Sequence, residues 1–110
     1  MKRDLERLDH ILEAIDRIEK YASRGQKFFS TDELVQTWVV SHLQIIGEAS
    51  RALTPSFRKK HSGIPWKKIV GMRNIIVHDY FQIDQKIVWS VVVTELPKLK
   101  ASIQKILGFV

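Results

Sequence analysis

Apolar residues in the first quarter of the chain recur every three or four positions, and charged residues fill the positions between them. This spacing predicts one amphipathic helix over residues 4 to 24, with Gly25 as its stop. Its apolar stripe consists of Leu5, Leu8, Ile11, Leu12, Ile15 and Ile18. Mixed charges at four-residue spacing, such as Glu13 and Arg17, indicate that the other faces meet solvent.

A second helix is predicted from Ser30 to about Leu53, because Ser30 and Glu33 have the spacing of a capping box. Thr54 and Pro55 then have the types preferred at a cap and at a first helical position, which predicts a short helix. Gly47 is small enough to allow a neighbouring helix to approach closely.

A third long helix is predicted from Pro65 to about residue 80. Asp84 is the expected cap of the last helix, which Pro97 kinks or restarts before Gly108. The β-branched tract from Val88 to Thr94 resembles a strand, but no partner strand is evident elsewhere, so helix is favoured. The pattern predicts an all-α, antiparallel four-helix bundle with an additional short helix.

Length and composition indicate one soluble domain over residues 1–110. Without an apolar run of 18 residues, no membrane span or membrane partner is expected. The absence of cysteine excludes disulfides and fits a cytoplasmic location. The net charge of +6 favours an anionic partner. A basic run is either a solvated face or an RNA-backbone contact; it comprises Arg58, Lys59, Lys60, Lys67 and Lys68.

Four functional side-chain types interrupt the apolar sequence of the third predicted helix: Arg73, Asn74, His78 and Tyr80. On an ideal helix Arg73 and Tyr80 would lie about 20° apart, whereas Arg73 and His78 would diverge by about 140°. Either the helix distorts near His78 or a second subunit completes the site, which motivates a homodimer. Asn74, four residues before His78, would orient its imidazole.

Arginine and histidine together suit cleavage of RNA by its own 2′-hydroxyl. The Arg73 guanidinium matches a phosphate, and His78 can transfer a proton near neutral pH. The nearby sequence offers no cysteine and no carboxylate cluster, so we expect neither a metal nor another cofactor.

The sequence from Arg73 to Tyr80 reads R-x4-H-x-Y and resembles the HepT-like toxins of the HEPN superfamily. The resemblance extends over most of the chain, from Ile46-Gly47-Glu48-Ala49 through Ile64-Pro65-Trp66 to Ile87-Val88-Trp89. It implies a HEPN-like helical ribonuclease toxin, paired with a minimal nucleotidyltransferase antitoxin of the MntA type. It also implies that this partner adenylylates the motif tyrosine, Tyr80.

Three readings of the motif remain open at this point. Arg73 and His78 cleave RNA; or the chain is a non-catalytic HEPN subunit that docks a nucleotidyltransferase; or the two side chains belong to an internal hydrogen-bond network. Glu48 is likewise open, either as a surface carboxylate or as an ion-pair partner of Arg73 or Arg51 that supports the site.

Overall fold

The computed structural model describes residues 2–72, 77–79 and 82–108, and most of these residues are helical. Seven α-helices and two short strands are defined within those ranges. The helices are α1 (Lys2–Ala22), α2 (Gln26–Thr31), α3 (Glu33–Arg51), α4 (Pro55–Lys60), α5 (Trp66–Val70), α6 (Gln85–Ser90) and α7 (Leu96–Leu107); the strands are β1 (Val77–Asp79) and β2 (Gln82–Ile83). The predicted all-α class is confirmed, with one small antiparallel ladder added.

The core forms where α1 packs against α3 and against the C-terminal helix. Fully buried aliphatic side chains come from all three elements: Leu8, Ile11, Ile15 and Ile18 of α1, Val39, Leu43 and Ile46 of α3, and Val88 and Ile103 of the C-terminal helix. Burial of each such side chain stabilises the folded protein by about 1.5–3 kcal/mol. The predicted α1 stripe is therefore confirmed at Leu8, Ile11, Ile15 and Ile18, whereas Leu5 is 43% exposed and lies outside the core.

The predicted cap at Ser30 is wrong, because a separate short helix occupies that position. Gly25 has a φ of 100°, which ends the turn after α1 and starts α2, whose Phe29 is completely buried. Asp32 caps α3 instead, with its carboxylate accepting from the Val35 N–H at 3.1 Å. The need to bury Phe29 outweighs the local capping-box pattern.

Two other predicted caps are confirmed. The Thr54 hydroxyl accepts from the Phe57 N–H at 3.3 Å, at the start of α4. The Asp84 carboxylate accepts from the N–H groups of Lys86 and Ile87, at 3.0 and 3.1 Å. This last cap fixes where the chain re-enters helix after β2.

The C-terminal helix runs without a break from Gln85 to Leu107, but Val91–Glu95 forms a π-helical turn within it. Pro97 explains the wider turn, since its ring has no N–H to donate and would collide with the carbonyl of Val93 in a regular α-helix. The β-branched tract is helical, as predicted. Gly108, with a φ of 79°, ends the helix.

The prediction of one continuous helix from 65 to 80 is wrong. The α5 helix ends at Val70, and residues 77–79 form a strand that pairs antiparallel with β2, placing Val77 opposite Ile83. β-Branched and aromatic residues around this strand favour extended backbone. No helix in the described part of the chain is long and apolar enough to cross a membrane.

A buried carboxylate joins the start of α1 to the start of α4. Asp4 is buried, and its two oxygens accept from the Thr54 N–H and the Thr54 hydroxyl, both at 2.9 Å. The bond from the Thr54 backbone lowers the pKa of Asp4 below its usual value, against the opposing effect of burial. The same Thr54 hydroxyl caps α4, so Asp4 holds that cap in place.

We expect Asp4→Ala to lower the free energy of unfolding by about 2 kcal/mol, because two charge-assisted hydrogen bonds are lost. Because the pKa of Asp4 is lowered on folding, its contribution is complete above the unfolded pKa and disappears as pH falls through the folded value. Urea unfolding between pH 7 and pH 2 measures both effects.

The matched control for this variant is Asp9→Ala, which removes an exposed carboxylate from the same helix. It should change the free energy of unfolding by less than about 0.5 kcal/mol. Equal losses in the two variants, or an unchanged acid dependence in Asp4→Ala, would contradict the role of Asp4.

Candidate functional site

The motif follows α5, whose position is set by a close approach to α3. A side-chain carbon on Gly47 would lie 3.5 Å from the carbonyl oxygen of Ile69 and 3.8 Å from that of Val70. This is ordinary contact distance, so nothing much larger than a methyl group fits there. The predicted role of Gly47 is confirmed, and it fixes the end of α5, three residues before Arg73.

An apolar cavity of about 180 Å³ lies between α5 and the C-terminal helix. Its walls include Ile64, Ile69, Met72, Val91 and Leu99. The buried Met72 side chain, directly before the motif, therefore packs towards the π-helical turn.

Lys68 and Glu95 form an ion pair beside this cavity, with Nζ and Oε1 3.0 Å apart. Glu95 is the last residue of the π-helical turn, so the pair connects that turn to α5. Lys68, which the sequence suggests as an RNA contact, is thus already engaged by a carboxylate.

The other predicted RNA-binding cations lie on α4 and α5. Lys59, Lys60 and Lys67 are exposed, whereas Arg58 is half-buried. The indole N–H of Trp66 donates to the carbonyl of His61 at 3.0 Å and connects the two helices. The structure therefore holds these cations on one short helical hairpin that leads into the motif.

Three of the four motif residues, Arg73, Asn74 and Tyr80, lie outside the described residues. The backbone of His78 is the middle of β1. The angles expected on an ideal helix, between Arg73 and either His78 or Tyr80, therefore do not apply. The argument for a homodimer from the divergence of Arg73 and His78 is lost with them.

Glu48 is exposed on α3, one residue after the α5 contact at Gly47. Arg51 is exposed as well. Neither of these two residues forms an ion pair within the described ranges. The proposed bridge from Glu48 to Arg51 is therefore not formed, and the alternative partner Arg73 lies outside the described residues.

Two histidines away from the motif are accounted for. His42 is buried, and its Nδ1 donates to the carbonyl of Trp38 at 2.7 Å, with the two rings 4.3 Å apart. His10 is exposed on α1, as predicted. Among the described residues, no group of three or more His, Cys, Asp or Glu is placed to hold a metal ion.

A polar groove on α3, which sequence reasoning missed, lies beside β2. It is lined by Ser30, Thr31, Glu33, Gln36, Thr37, Val40, Ser41, Gln44, Ile83 and Gln85. On α3, Thr37, Val40 and Gln44 lie on the same face as Gly47, since they are spaced by three and four residues. The groove and α5 therefore follow each other along one face of α3.

The two described segments that flank the motif both meet this face. The chain leaves α5 beside Gly47, and Ile83 of β2 lines the polar groove. Because Ile83 pairs with Val77, its backbone is about 5 Å from the strand that carries His78. The backbone at His78 therefore lies close to the polar groove.

Comparison with known proteins identifies the family of the chain. The family model described as "Ribonuclease HepT-like" matches residues 11–106. A protein of Caldanaerobacter subterraneus subsp. tengcongensis named "Putative RNase TTE0752" is 37% identical over 108 residues, covering 97% of this chain and 96% of that protein. The "Probable ribonuclease HepT" of Thermococcus cleftensis is 37% identical over 101 residues, covering 90% and 91%.

A longer relative comes from Methanocaldococcus jannaschii and is named "Gamma-glutamylcyclotransferase and putative RNase MJ0434". It is 40% identical over 109 residues, which are 97% of this chain but 49% of the relative, so the chain spans about half of its length. No solved structure matches the chain. The family match covers most of the sequence, including the motif, and the chain therefore belongs to the ribonuclease HepT-like family.

Proposed function

We propose that this protein is the toxin of a toxin–antitoxin module and acts as a metal-independent endoribonuclease. The observation that carries the proposal is an intact R-x4-H-x-Y sequence in a member of the ribonuclease HepT-like family. The basic hairpin of α4 and α5, directly before that sequence, suits an RNA backbone. The chain itself needs no cofactor, and its location is the cytoplasm.

In the proposed reaction, the RNA supplies its own nucleophile. His78 takes the proton from a ribose 2′-hydroxyl, whose oxygen attacks the adjacent phosphorus while the bond to the 5′-oxygen breaks. Arg73 stabilises the charge that develops on the phosphate oxygens, and Asn74 orients His78. The leaving oxygen takes up a proton, which gives a 2′,3′-cyclic phosphate and a 5′-hydroxyl.

The proposal includes a homodimer, which is supported by exposed aliphatic side chains on α3. Leu34 is 82% exposed and Ile45 is 41% exposed, and they share one stripe of α3 with Thr37, Ser41 and Glu48. Exposed aliphatic side chains of this kind are common where a second copy packs. Two such stripes facing each other would bring Glu48 of both copies to the interface and leave the polar groove open at its border.

The proposed antitoxin is a minimal nucleotidyltransferase that modifies Tyr80. Its reaction would transfer AMP from ATP to the tyrosine oxygen, with pyrophosphate as the leaving group. An added AMP brings negative charge and bulk to a residue two positions after His78, so it would compete with the RNA phosphate for Arg73.

The central experiment is cleavage of a mixed RNA pool in excess EDTA. We expect the wild type to cleave and to leave 2′,3′-cyclic phosphate ends. Because His78→Ala removes the proton acceptor, it should lower the rate by about 10²–10⁴-fold. The control is His10→Ala, which removes an exposed histidine of α1 and should retain the wild-type rate.

Several outcomes would contradict this reaction. A strict magnesium requirement or a 3′-hydroxyl product would exclude the proposed chemistry. If folded wild type cleaves nothing but still binds a nucleotidyltransferase, the chain is the non-catalytic HEPN subunit instead.

Two adjacent lysines test the RNA path. Lys67 is exposed without a carboxylate partner in the described ranges, whereas Lys68 is paired with Glu95. We expect Lys67→Gln to flatten the slope of the logarithm of the RNA-binding constant against the logarithm of salt concentration. The expected change is about 0.7, the value for one single-strand phosphate contact. Lys68→Gln should change the slope less, because RNA must first displace Glu95.

Fluorescence anisotropy with an uncleavable RNA at several salt concentrations measures both slopes. Lys20→Gln, an exposed lysine of α1 with the same loss of charge, is the control. A change in Lys20→Gln as large as that in Lys67→Gln would mean that the cations of α4 and α5 are only a solvated face.

Tyr80→Phe tests whether adenylylation inhibits the toxin, as proposed. The variant removes only the acceptor oxygen, so it should keep full cleavage activity while escaping neutralisation by the partner. Growth of cells that express both proteins, with mass spectrometry of the complex, measures this. An unmodified Tyr80 in a fully neutralised complex would show that docking alone inhibits the toxin.

A further inference from the structure

The polar groove on α3 takes no part in the proposed cleavage step, yet it is large and borders the strand that carries His78. Its volume is about 810 Å³, within the range of small-molecule sites. The described residues of its lining supply one carboxylate, three amides and several hydroxyls. These groups are neutral or negative, so they suit the hydrogen-bonding edge of a base better than a phosphate.

Hydrogen bonds within the protein fix acceptors at one end of the groove. The Gln36 side-chain N–H₂ group donates to the carbonyls of Phe29 and Ser30, at 2.9 and 3.2 Å. Its amide oxygen is therefore left as the group for a ligand. This bonding also settles the orientation of the amide, because an oxygen could not face those two carbonyls.

Two neighbours of Gln36 in the groove lining can also only accept hydrogen bonds from a ligand. The Thr31 hydroxyl donates to the Lys27 carbonyl at 2.9 Å, so only its lone pairs remain. The carboxylate of Glu33 is exposed and, when ionised, can only accept. Thr31, Glu33 and Gln36 thus present acceptors together.

The wall of the groove formed by α6 contains a hydrogen-bond acceptor that has no donor. The side-chain oxygen of Gln85 is buried and has no hydrogen-bond partner in the described structure. A buried oxygen without a donor destabilises the protein. A ligand that brings N–H donors between α3 and α6 would relieve that cost once the Gln85 side chain turns towards it.

We propose that this groove receives a nucleobase next to the scissile phosphate and prefers bases with an exocyclic amino group. Adenine, cytosine and guanine each carry an amino group that can donate to these acceptors, whereas uracil presents two carbonyl oxygens around a single N–H. Ile83 connects the two sites, since it lines the groove and pairs with Val77, the neighbour of His78. The proposal rests on the proposed ribonuclease function and names the base preference of that site.

The test uses two variants in the full chain. Glu33→Gln adds a donor where the wild type has only acceptors, and Gln85→Leu removes the buried amide. Matched controls are Glu6→Gln on α1 and Gln104→Leu on α7, which make the same chemical changes away from the groove. Light scattering checks that every variant keeps the oligomeric state of the wild type.

Two measurements are made on each protein. Sequencing of the ends released from a randomised RNA pool gives the base preference at each position around the cut. Binding of 2′-O-methyl oligonucleotides, which lack the nucleophile, gives the same preference without cleavage.

We expect the wild type to disfavour uracil by about tenfold at one fixed position, as expected for a good base contact. Glu33→Gln and Gln85→Leu should each reduce that factor at least threefold, while both controls retain it. Equal treatment of the four bases by the wild type, or a preference that neither variant changes, would overturn the inference; the second result would place base reading elsewhere.

The two proposals fail in different ways. Cleavage without base preference removes the groove from substrate recognition and leaves the ribonuclease intact. Selective binding of the uncleavable oligonucleotides without any cleavage would leave the groove as a base site and remove the proposed catalytic function.

Discussion

The contact between α5 and Gly47 of α3 is the constraint on which the placement of the motif depends. The α5 backbone lies against α3 at a point where a side chain larger than a methyl group would not fit. That contact sets the position of Val70, and the chain then reaches Arg73 in three residues. Because β2 rests beside the polar groove on the same face of α3, one long helix supports both flanks of the motif. Substitution of Gly47 would therefore affect the site through geometry rather than through chemistry.

The sequence predicted those parts of the fold that depend on regular spacing or on a single local bond. The α1 stripe, the Thr54 and Asp84 caps and the Gly108 stop belong to this class, because each follows from a few neighbouring residues. Predictions failed where tertiary packing overrides local preference. Ser30 lost its capping role because Phe29 needs burial, and the predicted 65–80 helix failed because residues 77–79 pair with β2.

At the candidate site, the motif is recognisable without coordinates, because an arginine, a histidine and a tyrosine stand at fixed spacing. The sequence does not show which cations are paired with a carboxylate. Lys68 looks like Lys67 in the sequence, but the structure pairs Lys68 with Glu95, 27 residues away. The polar groove was also hidden, because its lining comes from α2, α3, β2 and α6. The local signal is a polar series on one side of α3: Glu33, Gln36, Thr37, Ser41 and Gln44.

The arrangement separates two kinds of recognition along α3. Cations lie on α4 and α5, and in the proposed function they would attract any RNA, because phosphates are the same in every sequence. The polar groove offers neutral acceptors held in fixed orientation by bonds to backbone carbonyls, and this is the feature that can distinguish bases. A cation in the groove would weaken that discrimination, because it would attract every phosphate equally. Among the described residues of the groove lining there is neither lysine nor arginine, and this would favour the base selectivity that we propose.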